Sequence, residues 1–152
     1  MDIIAHLGAI VFIFMSEHNM IVMDSSENKK ETKNYVEFVF YRVPKKNHES
    51  LLQVSNRLIN LFKKEEVIYD CFGLLSAKKI PGFINITKII PINPDEEEIW
   101  INMVTYKDRQ HRTEIVEKIS KDKECQDIYE EFMKLITPGT EFINGEFRFC
   151  HP

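Results

Sequence analysis

Asp95-Glu-Glu-Glu-Ile-Trp-Ile-Asn-Met-Val-Thr-Tyr-Lys-Asp-Arg-Gln-His-Arg112 reads as a strand running into a capped helix. Ile99 to Tyr106 is apolar on both of its faces. If Ile99, Ile101 and Met103 point one way, Trp100, Val104 and Tyr106 point the other, so the strand expects cover on both sides. Asp108 is a good N-cap, offering a carboxylate to the free amides of the first helical turn. This stretch gives a fold class and suggests a partner; it does not give a reaction.

Upstream, Tyr35-Val-Glu-Phe-Val-Phe-Tyr is rich in β-branched and aromatic residues and predicts a strand. It repeats the two-faced pattern, with Val36, Phe38 and Phe40 opposite Tyr35, Val39 and Tyr41. From Val43-Pro44 a helix is expected to about Lys64, buried along Leu51, Leu52, Ser55, Leu58, Ile59 and Phe62. Val67 to Phe72 predicts a second strand, and Pro81-Gly82 a turn. Phe83 to Ile92 has strand propensity but weak alternation, and reads as a short strand or an ordered extension. Downstream, Ile115, Val116 and Ile119 form one helical stripe and Cys125, Ile128, Tyr129, Phe132, Met133 and Ile136 another. The break near Lys121-Asp122 means two tandem helices or one kinked helix, ended by Pro138-Gly139. Asn144-Gly145 reads as a turn, and Glu146 to Cys150 as a final strand.

The resulting β-α-β-β-α-β order is that of an α+β, ferredoxin-like sandwich: a mostly antiparallel sheet with both helices on one face. A bare second apolar face would exceed what a monomer usually exposes. A two-fold homodimer pairing open sheet face against open sheet face would bury it.

The chain of 152 residues carries a formal charge of −4 and fits one folded domain, expected from residue 34 to 150. Residues 1–33 are expected to be an extension, either flexible, with a polar linker at Asp24 to Lys33, or the product of a mis-assigned start. Its apolar run, Leu7 to Met15, falls short of the roughly 20 residues that span a bilayer and lacks a secretory signal's charge pattern. An extra strand or an upstream start are the readings left for it. The charge argues against a nucleic-acid partner, and the expectation is likewise for no membrane partner. Three widely spaced cysteines, Cys71, Cys125 and Cys150, fit neither a disulfide framework nor a metal clip, which favours a cytoplasmic setting.

Asn93-Pro-Asp-Glu-Glu-Glu-Ile-Trp to Arg112, the Val43-Pro44-Lys45-Lys46 strand end and Pro81-Gly82 resemble the DUF1428 (YbaA-like) family, over about Asn34 to Phe149. The chain departs from it in residues 1–33, in having Asp108 where a serine cap is usual, and in lacking a Gly-Gly-Phe at the last strand. The resemblance implies a dimeric α+β barrel of two ferredoxin-like chains and no established activity. The wider barrel group includes cofactor-free monooxygenases, isomerases, dismutases and haem-degrading enzymes.

Glu37, Tyr69, Asn102 and Arg148 lie in expected strands. If register puts them on one sheet face, they project into a barrel interior and could bind a small polar molecule or shift a pKa for acid–base work. The structural alternative is a plain cross-strand ion pair between Glu37 and Arg148. Tyr106 ends the central strand beside them. His111 is the most tempting single residue, but a helix's positive end and two arginines favour its neutral form, at a surface or interface. His48 is expected to be solvated. No histidine pair has metal-ligand spacing, so no metal and no cofactor are expected, and no catalytic residue is assigned. The function expected is small-molecule binding by a homodimer. A cofactor-independent monooxygenase-like enzyme and a passive dimerisation domain are the alternatives.

Overall fold

The computed structural model describes residues 35–139 and 143–148. Expectations for residues 1–33 and for Cys150 fall outside them. Strand β1, Tyr35–Pro44, ends where proline removes an amide donor, and one 3-10 turn, Lys45–Asn47, follows. Helix α1 is therefore His48–Lys64, starting after the expected proline turn. Its buried residues are Leu51, Val54, Ser55 and Phe62. Leu52 is exposed, contrary to expectation, because it sits about 100° around the helix from Leu51.

Strand β2 is Ile68–Gly73, and strand β3 is Glu97–Tyr106. Between them no strand forms from Phe83 to Ile92. The Asn85 side chain instead accepts from the Thr87 amide at 3.0 Å and opens a single turn, α2, Ile86–Ile89. Asp108 accepts from the His111 amide at 2.7 Å and caps α3, Arg109–Lys121. Asp122 accepts from the Cys125 amide at 2.9 Å and caps α4, Lys123–Leu135. The two stripes thus belong to two tandem helices, because the second acid restarts the helix.

Strand β4 is Ile143–Arg148, so Asn144-Gly145 is strand, not turn. Gly145 faces Phe38 in register. A Cβ there would come within 2.8 Å of the Phe147 ring, which packs edge-on to Phe38 at 5.1 Å. The glycine makes room for that ring.

The four strands run β2-β3-β1-β4, each antiparallel to its neighbours, which is the ferredoxin-like α+β arrangement. Along β1 and β3 the faces alternate as expected. Tyr41, Val43 and Trp100 pack with Leu51 and Val54 of α1 and Ile128, Phe132 and Ile136 of the α4 end. Tyr69, Val104 and Tyr106 pack with Phe62 of α1 and Ile115 of α3. Ile128 is fully buried, and truncating such a residue to alanine costs about 2–5 kcal/mol.

On the opposite face Ile68, Phe72 and Phe147 are exposed, while Phe38, Phe40, Ile101 and Met103 are half-buried. That face is not bare throughout, since Val36 and Ile99 are buried. No helix among the described residues is long and apolar enough to cross a membrane.

Candidate functional site

The β1–β3 register pairs Tyr35 with Tyr106, Glu37 with Val104, Val39 with Asn102, Tyr41 with Trp100 and Val43 with Glu98. Cross-strand partners share a face, so polar groups line up under the helices along this seam. Glu37, Tyr69, Asn102, Tyr106 and Arg148 all stand on that face. It is the face packed on helices, so they do not project from the open one.

Glu37 is 6% exposed. Its Oε1 accepts from Arg112 Nε at 2.8 Å, while its Oε2 is buried without a hydrogen bond among the described residues. The expected pairing with Arg148 does not occur. Glu37 stands opposite Glu146 on β4, and exposed Arg148 stands opposite Tyr35. The guanidinium comes from the first turn of α3, so the partner arrives from the helix layer. The Tyr106 hydroxyl is buried beside the same carboxylate. Burial raises the Glu37 pKa; Arg112 opposes this without cancelling it, and Glu146 adds to it. Burial, then the neighbouring Glu37 charge, push the Tyr106 phenol well above its usual range. Tyr35 is raised by burial and by Glu146.

The other sequence candidates have structural partners. Tyr69 stacks on Phe62 at 5.3 Å. Asn102 Oδ1 accepts from the Tyr41 hydroxyl at 2.9 Å, beside Cys71 and Ser55. His111 accepts at Nδ1 from the Lys107 amide at 3.2 Å and donates from Nε2 to the Glu65 carbonyl at 3.1 Å. That pattern fixes a neutral tautomer, with both ring nitrogens occupied in bracing α3 against the end of α1. Its ring meets Tyr106 at 6.3 Å. Burial raises the Cys71 thiol, and burial with Asp122 pushes Cys125 up to about 12, so neither is an activated nucleophile.

Two groups escaped sequence reasoning. Arg112 lies one position beyond His111, in a helix, whereas strand alternation points only to partners for Glu37 on neighbouring strands. His48 is not simply solvated: its Nδ1 lies 2.9 Å from Glu98 Oε2, which also accepts from Trp100 Nε1 at 2.8 Å. Nothing in sequence joins positions 50 residues apart. No group of three or more His, Cys, Asp or Glu placed to hold a metal occurs among the described residues.

An antiparallel sheet in this strand order, with helices on one face, defines a ferredoxin-like α+β domain. A dimeric ferredoxin-like protein from an uncultured marine organism shares that fold. Its TM-score is 0.52 at 8% identity, over 79% of this chain and 98% of that one. A NIPSNAP family protein from Agrobacterium tumefaciens is similar at TM-score 0.49 and 15% identity, over 81% and 91% of the two chains. SnoaB, a cofactor-independent oxygenase from Streptomyces nogalater, is similar at 0.47 and 11%, over 79% and 96%. No protein-family model matches the chain, and no curated protein does.

Proposed function

We propose that this chain is a DUF1428-like homodimer, paired through its open sheet face, that binds a small polar molecule between sheet and helices at Glu37, Arg112 and Tyr106. The domain is taken as residues 34–150, in a cytoplasmic protein with residues 1–33 as an extension. The observation that carries the binding site is two neighbouring buried atoms, Glu37 Oε2 and Tyr106 Oη, to which the described residues supply no hydrogen bond. Leaving such groups unmet in a folded core costs about 1–3 kcal/mol each, and a ligand offering one donor and one acceptor would answer both. Tyr69, Asn102, His111 and Arg148 belong to this reading as surrounding residues, with His111 bracing the helix that delivers Arg112. For the dimer, the support is the row of exposed Ile68, Phe72 and Phe147 beside half-buried Phe38, Phe40, Ile101 and Met103.

Native mass spectrometry of the purified full chain tests both parts. A mass near twice 18.0 kDa with a small added species, lost in Arg112→Met, is the expected result. A monomer sinks the dimer. A clean dimer that takes up no small molecule from a polar-metabolite extract sinks the binding site and favours passive dimerisation.

A second reading has one observation of its own. Burial holds the Glu37 carboxyl toward its protonated form beside two phenols, which suits proton transfer in a cofactor-independent, monooxygenase-like reaction. Oxygen uptake with quinol substrates, lost in Glu37→Gln with the dimer intact, would favour it over binding alone.

A further inference from the structure

From Cys71 to Pro94 the chain contains no Asp or Glu, and its only charges are Lys78, Lys79 and Lys88. Within this stretch Leu75, Phe83 and Ile84 are 97%, 76% and 77% exposed, and Ile80 and Ile89 are more than half exposed. The segment is nevertheless braced. The Leu74 amide donates to the Ile99 carbonyl at 2.8 Å, Asn85 Nδ2 donates to the Ala77 carbonyl at 2.8 Å, and Lys45 Nζ donates to the Pro94 carbonyl at 2.6 Å. It is an ordered, cationic arm whose apolar side chains face water, and it leaves the sheet from edge strand β2.

The open sheet face has the complementary character. Its apolar row is interrupted by few charges. Arg42 and Glu97 lie 3.6 Å apart and answer each other. Asp70 faces Met103 in register, on that same open side, and has no ion-pair partner among the described residues.

We infer that, in the homodimer, the arm of one copy lies on the open sheet face of the other, with the Lys78-Lys79 pair meeting the partner's Asp70. The inference rests on the homodimer reading above and adds what fixes its register. Two-fold symmetry makes the contact reciprocal, so one charge pair is used twice per dimer. An apolar contact alone is non-directional, whereas an acid in an apolar field opposite the arm's lysines selects one alignment.

Sedimentation velocity over a concentration series tests this with the full chain, at low and at moderate salt. Either Asp70→Lys or the double variant Lys78→Glu, Lys79→Glu is expected to weaken the dimer about tenfold or more. The combined triple variant should recover to within a few-fold of wild type. Phe83→Ser with Ile84→Ser should also weaken it, with unchanged far-ultraviolet circular dichroism. Wild-type affinity in each charge-reversed variant overturns the inference while leaving the homodimer standing, as does a triple variant no tighter than either reversal. A wild type that stays monomeric removes the homodimer itself. A monomer that co-sediments with phosphatidylserine vesicles would identify the arm as a lipid contact and overturn the proposal.

Discussion

The two ends of the β1–β3 seam hold similar pairs, a glutamate and a cationic or ionisable group from the first turn of a helix, and they titrate in opposite directions. At one end Glu37 meets Arg112 of α3; at the other Glu98 meets His48 of α1. The Glu37 pKa is raised, by burial above all. At Glu98 burial also opposes ionisation, yet hydrogen bonds from His48 and Trp100 outweigh it and the pKa is lowered. The carboxylate side chains are 8% and 25% exposed, and among the described residues the first receives one donor on one oxygen while the second receives two. Charge pairing alone therefore does not decide the state of an acid; water and donor count do.

Breaking the buried pair should have the largest effect. Arg112→Met leaves Glu37 without its counter-charge and should destabilise the fold by about 3–5 kcal/mol in urea unfolding at neutral pH. Adding Glu37→Leu should regain most of that loss; a double variant as unstable as the single one would mean Arg112 works through packing. The pH response follows from the sign. A raised carboxyl pKa means the folded state binds more protons, so this group's contribution is complete below the ordinary value of 4.5 and is lost as pH rises through the folded value. Glu37→Gln should flatten that decline, and unchanged curvature would count against the assignment.

Asp108→Ala removes the cap of the helix that carries Arg112, and should cost about 1 kcal/mol by thermal unfolding. The Glu37 end should loosen while the His48 end does not, a contrast that amide exchange of the two helices can read. The smallest effect is expected at His48, which is 43% exposed at its side chain. His48→Gln should cost about 1 kcal/mol or less, screened further by salt. Donating a hydrogen bond to Glu98 raises the His48 pKa, so this contribution is complete below 6.5 and fades as pH rises past the folded value. The lowered Glu98 makes its own contribution above 4.5, lost as pH falls further. This pair is strongest between those limits; a stability difference that grows in alkali would refute it.

What was legible in the sequence was local. Alternation in Tyr35 to Tyr41 and Ile99 to Tyr106 shows which residues share a face, and Asp108 marks the start of one helix, whereas the break near Lys121-Asp122 leaves two helices or one kinked helix open, which only the Asp122 cap decides. What was not legible depended on distance. Arg112 reaches Glu37 from 75 positions away, and His48 reaches Glu98 from 50. No periodicity encodes such meetings. Of the two readings of Phe83 to Ile92, the ordered extension stands and the short strand does not, because the Asn85 side chain closes a turn on Thr87. Gly145 misled, since it serves a neighbouring ring rather than a turn.

Where α1 gives way to β2, Glu66 has φ +57°, a left-handed backbone that costs a side-chain-bearing residue and suits glycine. The Val67 amide closes on the Phe62 carbonyl at 3.1 Å around it, and the Glu66 carboxylate reaches Lys107, just before the Asp108 cap of α3. The joint thus trades backbone comfort for a tether between two helices. Glycine at this position would relax the turn and cut the tether in the same stroke. A search for more heat-resistant variants should meet both effects here, with the balance moving toward glycine as added salt weakens the tether.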